Sequence, residues 1–504
     1  MIKILMILLL STMILLPGLV ANAAVVGPEN IRVVLARQST PVNLKVSNDY
    51  QLVNQASGKF AAWIKKNEDW QVRLENGQIQ LQGPDESYGP FNGPVAVVQG
   101  NDFRVNIIAG NKKVVESAAG GLTAINAGGK AVPLAESTVL SARSWQGIQR
   151  LEANSGLSLV SIQIGPEYRR YRGNIEFSIE KENLIVINEL NIEDYLRGVV
   201  PAEMPSSWPS EALKAQAVVA RNYALQKVDT TRGSSFNLTS DQQSQVYRGY
   251  DAEAEATDRA VADTRGLVLL NQGKIIPAFF HSSSGGFIEN SEDVWLNRLP
   301  YIKAKEDPFD KNNRHYNWQV SYTNEQLTKM VKTEQYPFVQ ITDIEVVERT
   351  ATGARAKKLV VEGIGVDGKP VTREIFNADN VRSALGLKSS LFNIKKVYAE
   401  KDDLTTIEND RTADKDDRAK VEDDRNEEKN NSDNRKYNRN ETVANPGGAG
   451  RELAEIEITG NGYGHGVGLA QWGAYAMAKQ GYNFQEILQY YYTDVSLTGN
   501  YGRQ

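Results

Sequence analysis

The stretch VVPAEMPSSWPSEALKAQAVVARNYAL, residues 199–225, sets one carboxylate, Glu203, between Pro201 and Pro205 and just ahead of a helical period. From Ser210 onward, positions 212, 213, 216, 217, 220, 223 and 224, apolar or small except for Gln216, have the spacing of an amphipathic helix. Pro209 suits the first turn of that helix, where a missing N–H costs nothing. The prolines therefore predict a short loop that carries Glu203 into the helix. A carboxylate at the mouth of a helix is ordinarily a charge favoured by the helix dipole, which lowers its pKa. Acid catalysis needs the opposite shift, and Val199, Val200, Met204 and Trp208 are apolar neighbours able to supply it by desolvation. Spacing alone leaves capping and catalysis both open.

Upstream, Ile31 to about Ile187 returns to short branched or alternating runs, IRVVLA, NLKVS, VAVVQG, FRVNIIAG and LVSIQIG, separated by Gly, Asn and Pro. These read as strands joined by turns. A β-poor, helix-containing region begins near Leu190. Downstream, GLVLLNQGKIIPAFFHSSSGG predicts a hairpin turning near Asn271-Gln272-Gly273, and mixed structure continues to LFNIKKVYAE at 391–400. Then ELAEIEITGNGYGHGVG predicts a strand entering a glycine-rich loop. LAQWGAYAMAKQ predicts a helix stopped by Gly481, and NFQEILQYYY one starting near Asn483. The expected fold class is α+β.

The 504 residues exceed one ordinary domain of roughly 100–200. MIKILMILLLSTMILLPGLVANA joins Lys3, an apolar run over 4–16, Pro17-Gly18 and small residues at Ala21 and Ala23, the pattern of a signal peptide cut after about Ala23. An uncleaved anchor is the alternative, although the run falls short of the ~20 residues that span a bilayer comfortably. Either way the bulk of the chain is expected outside the cytoplasm. It contains no cysteine, hence no disulfide framework and no thiolate zinc site. The net charge of −5 is concentrated in residues 401–446, with fourteen acidic and ten basic residues and scarcely an apolar one. Such a segment cannot bury enough surface to offset chain entropy and reads as disordered, with a solvated charged helix as the alternative. The remaining charge is close to balanced and carries no nucleic-acid footprint.

The glycine loop at 460–468 matches neither the dinucleotide nor the phosphate-loop spacing, which argues against nucleotide binding. Three histidines occur, His281, His315 and His465, none paired at helical zinc spacing. A composite site of imidazole and carboxylate ligands is the remaining route to a metal. For His281 the alternatives are a hydrogen-bonded strand-end residue or a site residue, and for His465 a turn residue or a site residue. Ser282 to Ser284 lack the Gly-x-Ser-x-Gly turn of an elbow nucleophile.

YRGNIEF, VINELNIEDYLRGVVPAEMPSSWPSEALKAQAVVARNYAL, HSSSGGFIENSEDVW and GNGYGHGVGLAQWGAYAMAKQGYNFQEILQYYY resemble, in order, successive signatures of the sporulation stage II protein D family, which includes the LytB amidase enhancers. The resemblance covers roughly residues 165–400 and 450–498. It implies a mixed α/β domain with a glycan-binding groove, here over 156–400 and 447–504, behind a β-rich region at 24–155 and interrupted by the insert at 401–446. It implies a secreted, cell-wall-associated protein acting on peptidoglycan, whose catalytic relatives are lytic transglycosylases cleaving the MurNAc–GlcNAc bond of peptide-stripped strands. The family's acid, the Glu of the EMP motif, falls on Glu203. The resemblance also implies that the His281–Ser282 loop and the His465 loop border the groove. Arg221 and Tyr223 follow at helical spacing and are candidates to face the sugar, with packing as the alternative. Some relatives bind zinc through cysteines; this chain has none, so no metal or other cofactor is expected.

A transglycosylase dispenses with the second carboxylate of ordinary glycosidases, because the sugar's own C6 hydroxyl replaces water. The rival reading is a non-catalytic enhancer that binds glycan and stimulates an N-acetylmuramoyl-L-alanine amidase. A metal-dependent amidase is a third, with little support from the histidine spacing. The residues offer no chemistry for the β-rich region.

Overall fold

The computed structural model describes residues 30–99, 157–295, 297–311, 313–351, 354–400 and 451–499, with the backbone of six short strands between 103 and 150. The expected signal peptide and the charged insert at 401–446 lie outside the described residues. The architecture is α+β, with a β-rich N-terminal part.

Two sheets carry that part. Asn30–Gln38 lies between Asn183–Asn191 and a two-residue edge strand, Leu238–Thr239. The sheet continues through Asn174–Glu180, Val95–Gln99, Tyr50–Asn54 and Lys59–Ile64. The second runs Glu167–Tyr171, Val160–Ile164, Val42–Val46, Trp70–Glu75, Gln78–Gln82 and Ser87–Phe91. Alternation sets their inner faces: Val42, Leu44 and Val46 are buried while Asn43 and Lys45 between them are not. Strands from before residue 100 and after residue 157 share both sheets and one core, in which Ile31, Val97, Ile162 and Val186 join Leu196 and Val218 of the helices. Each fully buried aliphatic chain contributes about 1.5–3 kcal/mol.

The strand Asn183–Asn191 feeds directly into helix α1, Ile192–Glu203. Asn191 caps it by accepting from the Glu193 amide, and Glu193 and Asp194 occupy the first turn, where the dipole favours acids. The loop expected between Pro201 and Pro205 is therefore the last turn of a helix. Pro201 sits inside it, in the last turn, and forgoes the one backbone bond its missing N–H would have made. Helix α2, Ser210–Thr230, follows at the expected place, with Pro209 at its N-cap. It is not amphipathic in use. Ala212, Ala215, Ala217, Ala220 and Ala224 are all buried, and α1, Glu255–Asp263, Gln471–Lys479 and Phe484–Tyr491 pack around it. Small side chains let four helices approach one axis, so α2 is the centre of the core rather than its lid.

Asn222 of α2 donates to the Leu269 and Ile276 carbonyls, at 2.8 and 3.1 Å, and accepts from the Leu269 amide. This ties α2 to the hairpin Val268–Asn271 and Lys274–Ile275, whose turn at Gln272 and Gly273 has the positive φ values a tight hairpin needs. A second core, including Trp318, Leu327, Phe338, Leu359 and Ile456, lies between two three-stranded sheets. In one of them Glu400 pairs with Arg451, so the insert leaves and re-enters at the same end of one strand pair. The helices at Gln471–Lys479 and Phe484–Tyr491 stand as expected, the second with an Asn483–Glu486 capping box. Among the described residues no helix is long and apolar enough to cross a membrane.

Candidate active site

Glu203 is the last residue of α1, not the first charge before α2. At a helix C-terminus the unpaired carbonyls disfavour a carboxylate, so the dipole works with burial rather than against it. Burial pushes the Glu203 carboxyl above its ordinary range. The Val246 amide, which donates to Oε1 at 2.9 Å, and the Gln471 side chain pull partly back. Gln471 Nε2 also donates to the Glu203 backbone carbonyl at 3.1 Å. The side chain remains partly exposed, so the acid is desolvated yet reachable.

The two loops expected beside it meet at Gln471. Phe280–His281 pairs in parallel with Leu469–Ala470, and the Trp472 amide donates to the Ser282 carbonyl at 3.0 Å. Ser283 and Tyr463 exchange both backbone hydrogen bonds. Such closeness requires glycine: at Gly464, φ 112°, an added Cβ would lie 2.7 Å from that of His281. At Gly466, φ 80°, it would strike the Arg355 guanidinium.

The His281 and His465 rings stand 5.3 Å apart. His281 donates from Nδ1 to the Val467 carbonyl at 3.1 Å, which leaves Nε2 as a bare acceptor, buried with no partner among the described residues. His465 accepts the Val467 amide on Nδ1 at 3.0 Å and is therefore protonated on Nε2. Burial holds His281 well below the usual imidazole range and pushes His465 down to about 4, so both rings are neutral. Phe279 and Trp295 pack on His465, and Phe279 meets Tyr223 edge-on at 6.1 Å. Burial, with the nearby Glu203 charge, raises the Tyr223 phenol. Glu203, Tyr223, His281, Ser282 and His465 thus share one neighbourhood.

Arg221 departs from the sugar-facing expectation. It is 0% exposed, and its guanidinium grips Glu193 with two bonds of 2.8 and 2.7 Å while a third N–H reaches the Leu267 carbonyl. It braces α2 against the first turn of α1. Ser283 and Ser284 are likewise occupied, not by a histidine but by buried acids. Asp310 accepts from Ser283 Oγ, Ser284 Oγ and the Gly285 amide, and Ser284 Oγ also lies 2.9 Å from Asp307. A single hydroxyl cannot donate to two carboxylates, so one must carry a proton. Asp307 is pushed up to about 7, by burial first and by Asp310 second. Nothing in the local pattern of EDPFDKNN signals this pair, because their partners are 23 and 26 residues away. Sequence reasoning also passed over Gln471, Trp472 and Tyr475. The last two pack with Trp208 at centroid distances of 4.8 and 4.9 Å. Among the described residues no three His, Asp or Glu side chains are placed to hold a metal ion.

A family model described as Stage II sporulation protein matches residues 180–270, and one described as Domain of unknown function (DUF8618) matches residues 261–408. The chain is 29% identical to an uncharacterized protein of Brachyspira hyodysenteriae over 69% of its own length and 75% of the relative's. It is 29% identical to the amidase enhancer of Bacillus subtilis over 60% of its length, but spans only 40% of that protein. Stage II sporulation protein D of the same organism is 26% identical over 62% of this chain and 76% of its own. The first of these models covers α1, Glu203 and α2, the elements on which the site is built, and over these elements the chain is similar to the sporulation stage II protein D family that includes the LytB amidase enhancers.

Proposed function

We propose that the chain is a secreted, cell-wall-associated lytic transglycosylase that cleaves MurNAc–GlcNAc bonds in peptide-stripped glycan strands. The observation that carries this is Glu203. It occupies the family's acid position, is partly exposed, and has a pKa raised by burial, which keeps it protonated further toward neutrality than a free glutamate. No second carboxylate is among the groups that shift it.

Protonated Glu203 donates to the glycosidic oxygen as the bond to C1 breaks. The C6 hydroxyl of the same MurNAc then attacks C1, and the Glu203 carboxylate takes its proton. The acid is regenerated, a 1,6-anhydro ring closes and no water is consumed. Gln471 and the Val246 amide hold the acid in place. Mass spectrometry of stripped strands incubated with the chain is the test: anhydro-ended products that vanish in Glu203→Gln support the reading, and cleavage by that variant at full rate sinks it.

A non-catalytic enhancer is the second reading, favoured by the relative named an amidase enhancer. In that case neither chain cleaves, both bind glycan, and an N-acetylmuramoyl-L-alanine amidase is stimulated. Such an amidase is the proposed partner in either case, since it produces the stripped strands.

A further inference from the structure

Beyond Glu203 runs a connected row of rings. Trp208, five residues along the chain, packs on Tyr475 and Trp472; Trp472 lies 6.5 Å from His315, and His315 lies 5.1 Å from Tyr463. Trp208, Trp472, Tyr475 and His315 are half-buried, and Tyr463 is 40% exposed. Trp472 directly follows Gln471, the residue that holds Glu203, so the row is continuous with the proposed acid site. Electron-rich ring faces attract the weakly positive C–H hydrogens that line one face of a pyranose, and aromatic surfaces bind such faces with little loss of side-chain freedom.

Charge adds a second, independent feature. Arg314 and Lys388 are exposed at the His315 end of the row, and neither has a carboxylate partner among the described residues. Arg314 Nε donates to His315 Nε2 at 3.1 Å, and the Lys388 carbonyl accepts from the Gly464 amide at 2.8 Å, which fixes both at this place. Burial lowers the His315 imidazole, and both cations lower it further against the buried Asp310. The end of the row is therefore positive.

This matches one chemical difference among glycans. A MurNAc that bears a stem peptide holds its lactyl carboxyl as a neutral amide. Removing the peptide exposes a carboxylate, and a chitin strand has no lactyl group at all. We propose that the ring row from Trp208 to Tyr463, closed by Arg314 and Lys388, is the subsite that selects peptide-stripped strands, the rings taking pyranose faces and the cations the free lactyl carboxylate. It rests on the glycan-strand substrate proposed above.

The test is calorimetric titration of the full chain carrying Glu203→Gln, which leaves the ligand uncleaved. The probes are a peptide-free GlcNAc–MurNAc tetrasaccharide, the same sugar with its lactyl groups capped as alaninamides, and chitotetraose. The stripped tetrasaccharide binds about fivefold tighter than either neutral sugar, the scale of exposed ion pairs, and the gap closes at high salt. Arg314→Ala with Lys388→Ala abolishes the gap, whereas Trp472→Ala weakens all three sugars. If Trp472→Ala fails to fold, Tyr463→Ala at the exposed ring asks the same question. Equal affinities for the three sugars, or a gap that survives loss of both cations, overturns the subsite. The unsubstituted chain is assayed for cleavage alongside. Discrimination without cleavage overturns the transglycosylase reading alone, and cleavage without discrimination overturns this subsite alone.

Discussion

Gln471 donates to the backbone carbonyl of Glu203 across 268 residues of chain, joining the glycine-rich segment to the end of α1. Its neighbour Ala470 pairs with His281, so one short segment couples the acid to the histidine loop. The Glu203 carbonyl is one of the groups a helix end leaves without an internal partner, and Gln471 satisfies it.

Glu203→Gln removes the proton donor while keeping the size of the side chain and its acceptor for the Val246 amide. Cleavage of stripped strands falls by a factor of about 10²–10⁴, with an unchanged circular dichroism spectrum. In the unsubstituted chain the acid must be protonated, so activity is present below its raised pKa and lost as pH rises through it. A pH–rate profile whose alkaline limb lies at the position of a free glutamate would falsify the assignment of Glu203 as the acid.

Gln471→Ala leaves the Glu203 carbonyl unpaired and removes a group that favours the carboxylate. One hydrogen bond of about 1 kcal/mol corresponds to roughly a fivefold loss of kcat. A structural effect alone would not move the pH profile. Here the alkaline limb shifts to higher pH, and ¹³C NMR titration of labelled glutamate shows the same shift without any substrate.

The sequence made α2, the strand–turn rhythm, the Asn271–Gly273 turn and the capped helix at 484–491 legible, because each rests on local periodicity or turn chemistry. Helix α1 was hidden by Pro201, a residue ordinarily read as a breaker, and with it the sign of the dipole at Glu203. The helical period of α2 did not reveal that its far side is also covered, since that depends on other helices, two of them, Gln471–Lys479 and Phe484–Tyr491, far along the chain. Of the candidate site, Glu203, His281 and His465 were accessible through the family's motifs. Arg221 resembled a site residue by spacing, but its role depends on Glu193, 28 residues upstream.

Arg221→Ala is accordingly a stability variant. It strands Glu193, whose side chain is 12% exposed, without its guanidinium, and leaves the Leu267 carbonyl without that donor. Breaking a buried pair by removing one partner costs about 3–5 kcal/mol. Urea unfolding should register that loss, with Arg221→Lys intermediate because an ammonium cannot reproduce the two-pronged contact. A variant that keeps its unfolding midpoint but loses glycan binding would return Arg221 to the site.

Asp307 sets a pH dependence of stability under the histidine loop. It is 0% exposed, Asp310 stands beside it, Ser284 and Tyr491 donate to it, and the half-buried Lys305 faces it. Its folded pKa, about 7, lies above the ordinary 3.8, so the folded chain binds the proton more tightly than the unfolded one. Stability is therefore full below about pH 4 as far as this group is concerned, and is lost as pH rises through the interval to about 7. The whole displacement corresponds to roughly 4 kcal/mol as an upper bound. Asp307→Asn, which cannot ionise, removes this slope, and urea unfolding at a series of pH values measures it in both chains. An identical slope in the variant would place the shared proton on Asp310 instead, and Asp310→Asn would then flatten it.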